Sequence, residues 1–154
     1  MKLIILLLIN YFLFLAMIVF SSSLAEDIYR FRIMGKIKSN SVTLPDMSIF
    51  NMFDSEGAFT DSDGNYGDVV ARGVRETDSN GQLINITALI VFESIDGSKI
   101  FARPNRKNSE LGAGAGYFDV LFASESFNRL QGAQCNYALT VTKQEAFIME
   151  GICK

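Results

Sequence analysis

The chain contains no histidine in its 154 residues. That absence removes Ser–His–Asp and Cys–His nucleophile systems, HExxH zinc sites and every histidine general base. Two cysteines cannot assemble a four-cysteine zinc site. Positive charge is in deficit, with 14 Lys+Arg against 17 Asp+Glu and a net charge of −3. Such a chain is a poor candidate for nucleic acid, which needs a cationic surface. No interval in the middle of the chain carries a clean 3.6-residue apolar period, so amphipathic helices are not expected there. Only 2 prolines are present, and Pro45 and Pro104 mark expected loops over 38–46 and 103–110. No residue set calls for a cofactor or a metal. No linker, internal repeat or low-complexity tract divides the chain, and its length suits one domain.

One long apolar run is present, Leu3 to Phe20, broken only by Asn10. Lys2 precedes it, and Ser23 and Ala25 place small residues at −3 and −1 before Glu26. This is the pattern of a signal peptide over 1–25, leaving a domain over 26–154. The alternative is an uncleaved anchor, since the run is long enough to span a bilayer. Membrane contact would then run through residues 3–20 alone. Either way Lys2 stays inside and the rest is exported, to a periplasmic or secreted location. An exported chain with two cysteines is expected to form a disulfide. Asn85-Ile86-Thr87 is a glycosylation sequon if the source glycosylates.

The exported part reads as antiparallel β. Asp63-Gly64, Asn80-Gly81 and Asp96-Gly97 are strong two-residue hairpin signals. Between them lie runs rich in β-branched residues, such as Val69–Val74 and Leu83–Phe92. Centring hairpins on the three dipeptides aligns Ala58, Val69, Phe92 and Phe101 in one apolar row. The next row on that face holds Glu56, Ala71, Ile90 and Arg103. Further on, Phe118, Val120 and Phe122 share a face. A three-residue loop at 143–145 opposes Val141 with Phe147, Leu139 with Met149, Tyr137 with Gly151, and Cys135 with Cys153. Directly opposed residues lie within disulfide reach. With a strand over 28–38 and a short one near 127–132, about eight strands are expected. Long strands leave hazardous edges that closure removes, so a closed, mainly up-and-down all-β barrel is preferred to a sandwich.

The Gly-rich stretch 112–119, then Ser126-Phe127-Asn128-Arg129-Leu130-Gln131-Gly132-Ala133 and Tyr137, resembles a pattern of allene-oxide-cyclase-like barrels, a group that includes dirigent-type proteins. The similarity covers about 30 residues, and Ser126 stands where such families have glycine. The resemblance implies an eight-stranded antiparallel barrel with a central cavity. It transfers no catalytic residue.

Three groups could carry chemistry. Glu56 and Arg103, if inward, would line or rim a cavity walled by Ile90, Phe92, Phe101, Phe118 and Tyr137. A few polar groups among apolar walls is what a small-molecule site requires. Arg103 could bind a carboxylate. A desolvated Glu56 could act as acid or base without histidine, with Tyr137 as a donor. The bland alternatives are surface charges or a structural ion pair. Secondly, Asp61, Asp63 and Asn65 open like a calcium loop, but Tyr66 and Arg72 occupy the positions of its glycine and bidentate glutamate, so a hairpin turn explains them better. Thirdly, Gly112 to Gly116 is not GxGxxG and suits strand bending or close packing. The basic residues Arg103, Arg106 and Lys107 read as a solvated loop.

These features favour a non-enzymatic binder of a small apolar or amphipathic ligand, or of a protein partner. The alternatives are a His-independent cyclase- or isomerase-type barrel and a packed interaction module. Nothing in the sequence sets an oligomeric state.

Overall fold

A computed structural model describes residues 28–106, 113–142 and 144–154. The expected signal peptide or anchor over 1–25 lies outside them. Eight strands follow one another: β1 (Tyr29–Thr43), β2 (Ile49–Asp61), β3 (Tyr66–Thr77), β4 (Leu83–Ser94), β5 (Lys99–Asn105), β6 (Ala113–Ala123), β7 (Gln134–Val141) and β8 (Ala146–Cys153). Each pairs antiparallel with the next, and β8 closes on β1. The result is an up-and-down barrel without free edges.

Five connections repeat one turn. The N–H of the first residue donates to the carbonyl of the fifth, and the N–H of the fourth donates back to the first, over 44–48, 61–65, 78–82, 94–98 and 142–146. The fourth residue has positive φ each time: Met47, Gly64, Gly81, Gly97 and Glu145. These are three-residue loops, a type I turn followed by a left-handed residue. Asp61 and Asp78 fasten two of them, each accepting two loop N–H groups on Oδ1.

This turn corrects the expected two-residue loops. At 63–64 and 96–97 the loop is one residue longer, so Val69 faces Gly57 rather than Ala58, and Phe92 faces Ile100 rather than Phe101. A one-residue slip turns a whole strand over. β2 and β5 therefore present faces opposite to those expected. The loop at 80–81 is also longer, but an irregularity between Glu76 and Thr77 restores the pairing of Val69 with Phe92 and Ala71 with Ile90. β3 and β4 keep their expected faces. The loop at 143–145 is as expected, with Glu145 in the position where glycine is usual.

Other boundaries shift. The expected loop from Lys38 to Asp46 is mostly strand, because β1 runs on to Thr43 and pairs Ser39 and Ser41 with Phe53 and Asn51 of β2. Backbone pairing there is indifferent to the polar side chains. The second expected loop begins later than Arg103, since β5 extends to Asn105. The expected strand near 127–132 is a 3-10 helix, Glu125–Leu130. Its apolar residues Phe127 and Leu130 are three apart, the spacing that stacks on one side of such a helix.

We call the end bearing the connections after β2, β4 and β6 the lower end. There the helix inserts Phe127 and Leu130 as a plug, both almost fully buried. Ser124 ties it to β5, its hydroxyl accepting from Lys99 N–H at 2.6 Å and donating to Lys99 C=O at 3.0 Å. Behind the plug, Phe31, Phe59, Phe92 and Phe118 form an aromatic network with ring centroids 5.3–6.2 Å apart. Burying each such ring contributes about 1.5–3 kcal/mol. Cys135 and Cys153 face each other across β7 and β8 and are bonded. Their 18-residue separation makes that bond worth about 3 kcal/mol by chain entropy.

Candidate functional site

The inward face changes character along the barrel axis. In the lower half the remaining gap among Tyr29, Phe31, Phe92, Phe118 and Cys135 is about 10 Å³, at the limit of the ~10–15 Å³ a single water needs. In the upper half the strands turn small residues inward, among them Ser55, Ala71 and Ala88, and a cavity of about 80 Å³ remains. Its apolar wall includes Ile37, Leu83, Ile90, Leu139, Phe147 and Met149. Tyr137 forms part of the wall and stacks at 6.2 Å on Phe118 of the aromatic network.

Two arginines line this cavity, Arg75 and Arg106. Arg75 is on the inward face of β3 with Val69, Ala71 and Gly73. Its guanidinium lies 5.7 Å from the Phe53 ring centroid. Its Nε is sealed from water and has no hydrogen-bond partner. An unsatisfied buried donor costs about 1–3 kcal/mol. Arg106 follows β5 and is only 5% exposed. Gly114 on β6 makes room for it, since a Cβ there would lie 2.5 Å from an Arg106 nitrogen. Gly116 does the same for Tyr137, whose ring carbon Cζ would be 2.8 Å from a Cβ. The alternating glycines thus hollow the wall for two polar side chains.

Burial lowers the proton affinity of both guanidiniums. The Arg106 charge lowers that of Arg75 further, and Glu145 in the β7–β8 loop raises it. Burial raises the Tyr137 pKa, and the Arg106 charge opposes that rise. Arginine remains protonated through the neutral range despite such shifts. Among the described residues no Asp or Glu lines the cavity. The site can therefore accept an apolar group along its walls and a hydrogen-bond acceptor at the Arg75 Nε–H.

The expected site residues divide. Ile90, Phe92, Phe118 and Tyr137 point inward, and of these Ile90 and Tyr137 border the upper cavity while Phe92 and Phe118 belong to the packed half. Glu56, Arg103 and Phe101 do not line the interior. The longer turns carry them to the outer wall, where Glu56 is exposed, Arg103 lies 3.9 Å from Asp119, and Phe101 packs on Phe122. Phe122 is outward because β6 has an irregularity that also brings Ala123 inside. Glu56 and Tyr137 are thus on opposite sides of the wall and cannot share a substrate inside the barrel.

The acidic turn is structural. Tyr29 donates to Asp61 Oδ2 at 2.8 Å, and Asp63 pairs with Arg129 of the plug. Among the described residues no three metal-ligating side chains gather, and no helix is long and apolar enough to cross a membrane. A broader dent of about 710 Å³ lies on the outer wall over Ala115, Ala138 and Gly151, edged by the Arg32–Glu150 ion pair. It is open to solvent.

The sequence pattern does not single out Arg75, and it places Arg106 in a solvated loop. Arg75 is two residues beyond Gly73 on a face already read as inward. Arg106 follows Ile100, Ala102 and Pro104 at the strand period once the turn before β5 has three residues. Comparison with family models, curated proteins and solved structures finds no match.

Proposed function

We propose that this chain is an exported, non-enzymatic binder of a small amphipathic molecule, taken up in the upper half of the barrel. The observation that carries the reading is the contrast between a filled lower half and an upper half left hollow by small inward residues. A few polar groups in an otherwise apolar wall are the usual composition of a small-molecule site. The enclosed space is below the ~300–1,000 Å³ of sites for drug-sized molecules. The ligand is therefore slender, or it extends beyond the enclosed part. The resemblance of 112–137 to allene-oxide-cyclase-like barrels, which implies a central cavity, supports the same reading. Export is supported by the leader pattern over 1–25 and by the disulfide, which persists in oxidising compartments. Of the two residues expected to serve a catalytic alternative, Glu56 lies on the outer wall and Tyr137 lines the cavity, so the acid–base pair is not assembled inside the barrel.

The test uses a neutral apolar fluorophore, N-phenyl-1-naphthylamine, with purified protein. Binding should enhance its emission to a saturating level. Ala71→Leu, which fills the cavity from β3, should remove that enhancement at a cost in stability no greater than the ~1–3 kcal/mol of overpacking, since it enters space rather than packed core. Undiminished enhancement in a folded Ala71→Leu protein would place the apolar site elsewhere.

A further inference from the structure

The barrel ends, at its seam, before β1 does. β8 pairs with β1 only from Tyr29 to Lys36, and the Ile37 N–H donates to Glu145 C=O of the β7–β8 loop at 2.9 Å. From there β1 runs on to Thr43 against β2 alone. Within an antiparallel strand, alternate residues direct both N–H and C=O to the same side. Ile37 directs its N–H towards β8, and Leu44 directs its own across the hairpin to Ser48. Ser39, Ser41 and Thr43 therefore turn their N–H and C=O groups away from β2, and among the described residues nothing pairs with them. Ser41 and Thr43 are exposed.

Native strands guard such an edge with proline, charged residues, a bulge or cover from another element. From Ser39 to Thr43 there is neither proline nor charge, and the register with β2 is unbroken. The outer face beside the edge is apolar. Val42 and Phe50 form one cross-strand pair, Met52 sits opposite Asn40, and Val42, Phe50 and Met52 are all exposed. Free backbone groups next to exposed apolar side chains are what strand addition uses, the first for affinity and the second for specificity.

The segment is also its own complement. Its open groups recur at 39, 41 and 43, symmetric about Ser41. Two copies related by a two-fold axis at Ser41 pair Ser39 with Thr43, Ser41 with Ser41 and Thr43 with Ser39. Every open donor then meets an open acceptor, in about six bonds. The same register sets Asn40 against Val42 of the second copy, so Phe50 and Val42 of one copy continue in a row into Asn40 and Met52 of the other. Charge agrees with this register. Lys38 comes against the end of the second copy's β1–β2 hairpin, whose turn holds the exposed carboxylate of Asp46, and the two Lys38 side chains stay at opposite ends of the ladder. Neither Lys38 nor Asp46 has an ion-pair partner among the described residues.

We propose that the upper edge of β1, residues 38–43, is a self-association site, at which a second copy of this chain adds its own β1 antiparallel and continues the sheet from one barrel into the next. An isologous contact of this kind closes at two copies and does not propagate. A ladder of this length buries little surface and belongs to the class that gives transient complexes. The site stands apart from the cavity and needs no ligand.

Sedimentation velocity of the purified protein with its disulfide formed, over a concentration series, should show a reversible shift from one copy to two. Ser41→Pro removes an N–H that the pairing with β2 does not use and sets the proline ring on the open side. It should fold and stay monomeric at concentrations where the parent is dimeric. Should that variant misfold, Ser41→Lys opposes two ammonium groups at the axis and should have the same effect. Cross-linking locates the contact. Both native cysteines are engaged in the disulfide, so Ser41→Cys supplies one free thiol per copy, within bonding reach of its mate in the paired ladder. Oxidation should link Ser41→Cys into dimers and leave Lys38→Cys, which is also exposed, largely unlinked. A parent protein that stays monomeric at every soluble concentration would overturn the proposal, and if that monomer captures a synthetic peptide of residues 37–44 the edge belongs to a foreign extended chain instead. An association that survives in folded Ser41→Pro, or that cross-links no better at 41 than at 38, would place the interface elsewhere on the barrel and overturn it as well.

Discussion

The two halves of this barrel share the same eight strands and differ in what those strands turn inward. The lower half carries Phe31, Phe59, Phe92 and Phe118 and is sealed by Phe127 and Leu130 from the 3-10 helix. The upper half carries Ser55, Ala71, Ala88, Gly114 and Gly116, with two arginines among the apolar residues. An eight-stranded barrel is just wide enough to be filled by side chains or to hold one small ligand. This chain is filled at one end and keeps a cavity at the other. The packed end supplies stability, which frees the other end to retain a cavity and an unsatisfied guanidinium. Stability given up at a binding site and recovered elsewhere is a common arrangement.

The comparison is broken most forcefully from below. Phe92 touches the rings of Phe31, Phe59 and Phe118, so Phe92→Ala should cost about 3–5 kcal/mol in urea unfolding. A loss as small as that expected for Ala71→Leu above would show that the two halves do not differ in packing.

A smaller effect sharpens the contrast through pH. The Tyr29 hydroxyl is pushed well above its ordinary pKa, first by burial, then by its hydrogen bond to Asp61 and by the charges of Asp61 and Asp63, with Arg129 opposing. The unfolded chain releases this proton near the ordinary value of about 10, while the folded chain retains it. The folded state therefore binds more protons above that pH. The stability from this group is complete below about pH 10 and declines as pH rises further, by at most about 1.4 kcal/mol per unit. Tyr137, also raised by burial, adds a decline of the same sign. Tyr29→Phe should reduce the alkaline slope measured by denaturant unfolding. An unaltered slope would remove Tyr29 from the account of the lower seal.

Much of the fold was legible because the hairpin signals are chemical. Asp at the first position and Gly at the fourth fasten and reverse the chain at 61–64 and 78–81 whatever the surroundings. The β7–β8 register was legible from its apolar pairs and cystine. Faces of β2 and β5 were not, for two physical reasons. The Asp-Gly dipeptide fits both a two-residue and a three-residue loop, and these differ by one position in register. Side-chain pattern could not arbitrate, because the outer wall is itself apolar where Val70, Val91, Phe101 and Phe122 align across β3 to β6. The site suffered directly: the slipped register brought Glu56 and Arg103 inside and concealed Arg106. Arg75 was on a correctly assigned face. The small residues before it on that face, Ala71 and Gly73, signal space rather than charge.

The absence of tryptophan allows the central claim to be tested with a single introduced reporter. Phe53 borders the upper cavity beside Arg75, whereas Phe122 is on the outer wall and 53% exposed. Emission from Phe53→Trp and Phe122→Trp should be followed while octanoate is added. The account predicts a saturable change in intensity or wavelength for Phe53→Trp and none for Phe122→Trp. A response at position 122 with none at 53 would contradict it, placing the binding surface outside the barrel.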